Sequence, residues 1–304
     1  MAVRFVTWPG IRWFVRISGG RTRPQFFRGA QYAARITNTL CTTAQVSLLG
    51  LGGFTWFHQW PRTAACLTKE MEVDEIVEKA DYLYGTSETE KLYKFLFEYS
   101  DSTSDEVLWR LARASRDLAQ LSSTPVEERR RFAYEALEFS KQALDRNPQN
   151  FACHKWYAIC ISDVGDFEGI KTKIANAYVI REHFQKAIEL NPNDATSVHL
   201  VGLWCYTFAE MPWYQHRIAS VLFATPPSST FKEALQYFTR AEKVEPNFYS
   251  KNLLMLGKTL LKLGNQRYAL LWLTKAQQFP ARTEEDRQVQ KEAAELLKDA
   301  IRKT

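Results

Sequence analysis

Aspartate and glutamate are absent from the first 69 residues of this 304-residue chain, and the first acidic residue is Glu70. The same stretch holds nine basic residues, namely Arg4, Arg12, Arg16, Arg21, Arg23, Arg28, Arg35, Arg62 and Lys69. Residues 70–304 therefore carry 31 of the 40 basic residues against all 34 acidic ones. The basic character of the chain belongs to this N-terminal arm, so no nucleic-acid partner is predicted for the rest of the sequence.

Cysteine is also scarce, because the chain has only five, at positions 41, 66, 153, 160 and 205, and no CxxC motif. This odd number in a chain of this length excludes a small disulfide scaffold, so we expect reduced thiols in a reducing compartment. Cys153 and Cys160 are seven residues apart and share a helical face, where cysteine packs as a small apolar side chain. No tetrahedral ligand set accompanies them, so no metal site is predicted.

Catalytic motifs are missing as well. The sequence contains no GxSxG, no GxxxxGK[ST] and no HExxH, so we predict a protein that is not an enzyme and needs no cofactor. The segment Gly165–Gly169 has two glycines and two acids but lacks the ligand spacing of a calcium loop, and we interpret it as a turn between helices.

Long hydrophobic runs are absent. The most apolar segment, residues 44–57, has 14 residues and would span about 21 Å as a helix, short of a hydrocarbon core of about 30 Å. Two interpretations stay open for it, a weak membrane anchor and a flexible linker. Residues 1–35 are rich in Arg with some Ser and Thr, a composition typical of a mitochondrial transit peptide. The alternative is a disordered basic arm that touches acidic surfaces.

A recurring spacing of small residues dominates the rest of the chain. Two alanines seven residues apart, followed five residues later by proline, recur in full or in part at four places: Ala136, Ala143 and Pro148; Ala187 and Pro192; Ala234, Ala241 and Pro246; and Ala269 and Ala276. Seven residues is about two helical turns, so both alanines lie on one face and let a neighbouring helix approach closely. Proline then ends the helix. The pattern predicts the second helix of a two-helix repeat, which typically binds partners.

We therefore predict an all-α fold, a tetratricopeptide-like solenoid over residues 70–304 preceded by a flexible basic arm over residues 1–69. Gly257 stands where such repeats place a small residue at a close helix crossing, and Gly264 stands in the turn that follows. Two insertions, 165–178 and 208–230, expand the regular unit. Residues 281–304 predict a terminal capping helix with a polar outer face.

Three clusters are candidates for binding a partner: Arg110, Arg113 and Arg116; Lys155, Lys171 and Lys173; and Trp213, Tyr214 and Arg217. The arginines lie at a spacing of three, and the alternative for them is a solvated face with an ion pair between Arg113 and Asp117. A solvated face is likewise the alternative for the lysines. Aromatic residues with arginine are typical of binding hot spots, but the third cluster could equally pack on its own domain.

Five stretches of the sequence closely resemble the regulator of microtubule dynamics family: Ala80–Leu92, Leu108–Leu121, His154–Asp166, Gly169–Tyr178 and Trp204–Ser229. The resemblance implies a non-enzymatic protein with tetratricopeptide-like repeats that associates with tubulin and microtubules, in the cytoplasm and at spindle poles. A relative in that family is a membrane-contact tether linked to lipid handling, so a membrane or lipid partner is also implied. The alternative is a mitochondrial repeat protein with a cleaved presequence, whose groove binds a peptide or lipid.

Overall fold

The computed structural model describes residues 71–302, and this part of the chain is helical. Its thirteen α-helices are, in chain order, α1 (Val73–Gly85), α2 (Thr89–Phe97), α3 (Asp105–Gln120), α4 (Val126–Arg146), α5 (Phe151–Glu168), α6 (Ile170–Ala175), α7 (Ala177–Leu190), α8 (Ala195–Ala209), α9 (Trp213–Leu222), α10 (Phe231–Val244), α11 (Ser250–Lys262), α12 (Gln266–Gln277) and α13 (Glu284–Arg302).

These helices pack as successive pairs, each against the next. The pairs are α1 with α2, α3 with α4, α5 with α7, α8 with α10, and α11 with α12, while α13 covers the last pair. This arrangement confirms the predicted all-α helical-repeat solenoid. The short helices α6 and α9 lie outside the pairing and contact each other, so the two insertions meet in space.

The alanine spacing marks the second helix of four pairs, α4, α7, α10 and α12, as predicted. Ala136, Ala143, Ala187, Ala241 and Ala276 are all fully buried at the contacts with neighbouring helices. The two glycines at helix crossings have no room for a side chain. A Cβ on Gly257 would lie 2.6 Å from Leu273 Cγ, and one on Gly202 would lie 2.8 Å from the Phe238 ring. The first helix of a pair therefore needs glycine where the second helix crosses it.

Local signals explain where several elements end. Gly264 has a φ of 73°, a backbone conformation that suits glycine, and it lies in the predicted turn between α11 and α12. The final helix begins with a capping box, because Thr283 Oγ1 accepts from the Asp286 backbone N–H at 3.1 Å and Asp286 Oδ2 accepts from the Thr283 backbone N–H at 2.9 Å. The capping helix predicted from residue 281 therefore starts three residues later.

The Gly165–Gly169 segment differs from its prediction. We expected a turn, but α5 continues through Glu168, and only Gly169, with a φ of 91°, interrupts the helical path. Both insertions also contain a helix that the sequence pattern did not indicate. The buried Cys153, Cys160 and Cys205 are free thiols, and burial raises the pKa of Cys153 and Cys160 to about 12.

Three predictions lie outside the described residues: the basic arm, the transit peptide and the apolar segment 44–57. Among residues 71–302, no helix is both long enough and apolar enough to cross a bilayer.

Candidate functional site

The first candidate cluster turns away from solvent. Arg110 on α3 makes a bidentate ion pair with Asp81 on α1, with Nε 2.9 Å from Oδ1 and Nη2 2.7 Å from Oδ2. The guanidinium of Arg113 stacks on the Tyr84 ring, 3.6 Å from its centroid, and reaches Asp81 at 3.4 Å. Burial lowers the pKa of Arg113. These two arginines therefore fasten α3 to α1.

Arg116 joins α3 to α5. Its Nε donates to Asp163 Oδ2 at 2.7 Å, and both side chains are almost completely buried. Burial raises the pKa of the Asp163 carboxyl, and the guanidinium of Arg116 opposes that rise. A carboxylate held this deeply depends on the cation that is hydrogen-bonded to it, so the pair links the two helices.

Lys155 continues the same series from α5 to α8. Its Nζ lies 3.1 Å from each carboxylate oxygen of Asp194, which is the N-cap of α8 and accepts the Ser197 backbone N–H at 3.0 Å. Burial lowers the pKa of Lys155, while Asp194 opposes that effect. One carboxylate thus both caps a helix and neutralises a buried ammonium.

We call the three pairs Asp81–Arg110, Arg116–Asp163 and Lys155–Asp194 the interior ladder. The solvated face that we considered for these cations is wrong, because Arg110, Arg113, Arg116 and Lys155 are all buried. In place of the ion pair considered between Arg113 and Asp117, Arg113 reaches Asp81 and Asp117 lies 3.5 Å from Arg116. That they bind a partner stays a prediction, and their side chains are already engaged within the fold.

The remaining candidates lie on or beside the two insertion helices. Trp213 is 72% exposed and Tyr214 is 45% exposed, so neither packs into the domain as the alternative required. Arg217 and Lys171 are also exposed, whereas Lys173 is half-buried and forms an ion pair with Asp166. The structure therefore brings Lys171, Trp213, Tyr214 and Arg217 to the exterior of two helices that touch each other.

Acidic residues are missing from both segments that build this exterior. The sequence has none between Glu168 and Glu182, which bracket α6, and none between Glu210 and Glu233, which bracket α9. We call the exposed side chains Lys171, Trp213, Tyr214, Arg217 and Val221 the insertion surface. It combines positive charge with apolar side chains, on a repeat region where acidic residues otherwise outnumber basic ones.

An apolar cavity of about 60 Å³ lies beneath the insertions, between α6 and α8. Its mainly apolar lining includes Ile170 and Ile174 of α6, Trp204 and Phe208 of α8, and Met211, with Ser162, Lys173 and Thr207 as the polar residues. The insertions therefore cover an apolar space. None of the members of the insertion surface lines it.

A model of the family described as regulator of microtubule dynamics protein 1-3 matches residues 76–301. The chain belongs to the regulator of microtubule dynamics family. Regulator of microtubule dynamics protein 1 of Bos taurus is 67% identical over 230 residues, which cover 76% of this chain and 73% of that protein. The Mus musculus protein of the same name is 60% identical over 278 residues, which cover 91% of this chain and 86% of that protein.

A solved structure of a thermophilic TPR protein from Thermus thermophilus superposes with a TM-score of 0.53 and 15% identity. The match covers 73% of this chain and 98% of that one, and it shows that this chain has a tetratricopeptide-like fold. Within residues 71–302, the structure contains no group of three or more His, Cys, Asp or Glu side chains placed to hold a metal ion.

Sequence reasoning missed two members of the exposed apolar set, Val221 at 87% exposure and Leu222. The signal was available, because Trp213, Arg217 and Val221 follow one another at four-residue steps and so form one stripe of a helix. The segment is too short to show the periodicity that indicates a helix, and these residues share a face only if the segment is helical.

Proposed function

We propose that this member of the regulator family is a non-enzymatic, microtubule-associated scaffold whose repeats recruit a partner at microtubules or spindle poles, in the cytoplasm. The observation that supports the recruiting role is the insertion surface. Lys171, Trp213, Tyr214 and Arg217 are exposed on two segments without acidic residues, 169–181 and 211–232, while Arg110, Arg113, Arg116 and Lys155 are buried in the solenoid. The microtubule role rests on family membership and on the names of the relatives.

Charge suggests how the two roles divide along the chain. The exposed surface and tails of tubulin are acidic, and residues 70–304 have more acidic than basic residues. The basic arm of residues 1–69 is therefore the stronger candidate for microtubule affinity, and the repeats supply selection. Screening limits long-range repulsion beyond about 8 Å at physiological salt, so a basic arm can bind despite an acidic neighbour.

Co-pelleting of the full chain with stabilised microtubules at increasing salt tests this proposal. We expect a variant with Arg12, Arg16, Arg21 and Arg23 replaced by glutamate to bind about tenfold more weakly, because several surface ion pairs of a few tenths of a kcal/mol each are lost. Binding of the unmodified chain should also weaken as salt rises.

The matched control replaces four exposed lysines of the repeats by glutamate, at Lys141, Lys243, Lys291 and Lys298. This control changes the net charge equally and should retain most of the binding if the arm makes the contact. Salt-insensitive pelleting, or an equal loss in both variants, would count against the arm.

A mitochondrial repeat protein with a cleaved presequence is the second proposal, supported by the acid-free, arginine-rich composition of the arm. Its repeats would then bind a peptide or lipid. The mature N-terminus of the protein purified from cells, measured by intact mass, separates the two. A form that lacks about the first 35 residues supports import, and a start at Met1 or Ala2 supports the cytoplasmic scaffold.

A further inference from the structure

We propose that the insertion surface docks on the anionic face of a lipid bilayer. The inference rests on the recruiting half of the proposed function and names the class of partner that the repeats recruit. It concerns the exterior of α9 and α6, whereas the microtubule contact proposed above concerns the arm.

The exposed side chains of α9 form a stripe that faces away from the core of the domain and does not pack into it. Only Gln215 and Ala219 of this helix are buried, so it is attached to the domain along one narrow side. The opposite side presents Trp213, Arg217 and Val221 at four-residue steps, and Tyr214 lies beside them. A ten-residue helix thus turns two aromatic rings and a valine towards solvent.

Charge decides what kind of surface this stripe suits. Arg217 lies in a segment without acidic residues, and the two acidic residues that precede Lys171 are engaged, Asp166 with Lys173 and Glu168 with the Tyr134 hydroxyl. Lysine and arginine at such a position are attracted to anionic headgroups, and each adds roughly fivefold to membrane affinity. An acidic side chain would oppose that attraction, and neither α6 nor α9 carries one, so the exterior of the two helices is complementary to a negative surface.

The kinds of side chain are those that partition into the interface of a membrane. Tryptophan and tyrosine are enriched at the headgroup level, where an amphipathic ring has one apolar and one wet end. Interfacial helices combine such rings with aliphatic residues and with Lys or Arg that reach the headgroups. Val221 and Leu222 supply the aliphatic part on the last turn of α9.

A bilayer also suits the way these side chains project. Trp213 and Val221 are 72% and 87% exposed, and neither lines the cavity beneath the insertions. A protein partner would have to supply fitted pockets for both, since hot-spot residues act in well-packed, dehydrated pockets. A fluid bilayer accommodates projecting side chains without a preformed pocket, so the observations favour the lipid surface.

Vesicle flotation of the full chain tests the inference, with vesicles of phosphatidylcholine alone and of phosphatidylcholine mixed with phosphatidylserine. To remove the contribution of the arm, all variants carry the glutamate substitutions at Arg12, Arg16, Arg21 and Arg23. In that background we expect binding to the mixed vesicles only. Trp213→Ser with Val221→Ser should reduce it about tenfold, because the apolar area that enters the interface is lost.

Replacing Lys171 and Arg217 by serine should weaken binding to the mixed vesicles by a similar factor and should flatten its salt dependence. The matched control replaces two equally exposed apolar residues on other helices, Tyr82→Ser with Val126→Ser, and should bind like the background chain. Thermal unfolding followed by circular dichroism confirms that each variant is folded.

Three outcomes would overturn the inference: no binding of the background chain to either vesicle, unchanged binding by the Trp213/Val221 variant, or an equal loss in the Tyr82/Val126 control. Retained vesicle binding with loss of microtubule pelleting by the Trp213/Val221 variant would instead assign the surface to an acidic protein. Failure of the proposed function is separable, because a chain that never pellets with microtubules can still show the expected vesicle pattern.

Discussion

The interior ladder and the insertion surface use the same kinds of residues for opposite purposes. Arg116 in the ladder and Arg217 on the surface are both basic side chains on helices, but one is buried against Asp163 and the other is exposed without an acidic neighbour in its segment. The difference comes from where each helix lies in the repeat, since α3 is enclosed by α1, α4 and α5, while α9 contacts the chain mainly through α6. Position in the solenoid therefore decides whether a basic residue holds the fold or is available to a partner.

The ladder also shows how a solenoid joins repeats that are far apart in sequence. Asp81 and Arg110 are 29 residues apart, and Arg116 and Asp163 are 47 residues apart. Each pair links the first helix of one repeat to the first helix of the next, in the direction along which the pairs stack. The insertions interrupt this arrangement and are free to carry a different chemistry.

The largest expected effect separates the two arginines. Arg116→Leu removes the cation that is hydrogen-bonded to the buried Asp163 carboxylate, and we expect it to lower the free energy of unfolding by about 3–5 kcal/mol. Arg217→Leu should change it by no more than about 0.5 kcal/mol, because the side chain is exposed. Urea unfolding of both full-length variants at neutral pH measures the difference.

A double variant sharpens that test. Arg116→Leu with Asp163→Leu removes both charges of the closest pair, so part of the lost stability should return, as it does when a buried ion pair is replaced by apolar side chains. Recovery stays incomplete because Asp117, 3.5 Å from Arg116, loses its partner in both variants. Equal unfolding midpoints for the Arg116 and Arg217 variants, or no recovery in the double variant, would show that the ladder contributes nothing beyond packing.

The repeat pattern could be predicted from the sequence because it depends on local spacing. Ala136 and Ala143 are seven residues apart and so lie on one face of a helix. Gly257 is likewise recognised as a helix crossing from the spacing of the residues around it. The interior ladder could not be predicted, because Arg110 and Asp81 come into contact only when α3 packs against α1. The burial of the cations was missed for the same reason, and α6 and α9 are too short for their periodicity to be recognised.

A second contrast concerns glycine at a repeat crossing and glycine beneath an insertion. In Gly257→Ala the new Cβ would lie 2.6 Å from Leu273 Cγ, and we expect a loss of about 1–3 kcal/mol through overpacking. In Gly165→Ala the nearest atom is Lys173 Cγ at 3.0 Å, on a flexible side chain that can shift. There the gain in helix propensity, roughly 1 kcal/mol, should offset the contact. Thermal unfolding of the two variants measures this, and similar losses in both would mean that the crossing is not unusually tight.

The smallest effect concerns pH and the histidines of the two regions. His199 on α8 is buried, and its Nδ1 lies 2.9 Å from Asn252 Oδ1. The Asn252 amide nitrogen donates to Phe238 O and Glu242 Oε2, so the oxygen faces His199 and Nδ1 is the donor. Burial lowers the pKa of His199 to about 3. The unfolded chain takes up this proton below about pH 6.5 and the folded chain does not, so stability is lost as the pH falls from about 6.5 towards 3.

In the wild-type chain, the contribution of His199 to the free energy of unfolding should be about 1.4 kcal/mol smaller at pH 5.5 than at pH 7.5. His199→Gln should therefore be less stable at pH 7.5 but should lose less stability on acidification. His216→Gln on α9 is the control, since it removes a half-exposed histidine without touching the repeat interior. Urea titrations at the two pH values measure both differences. If His199→Gln and the wild-type chain lose the same stability from pH 7.5 to pH 5.5, the acid sensitivity of the repeats arises from groups other than His199.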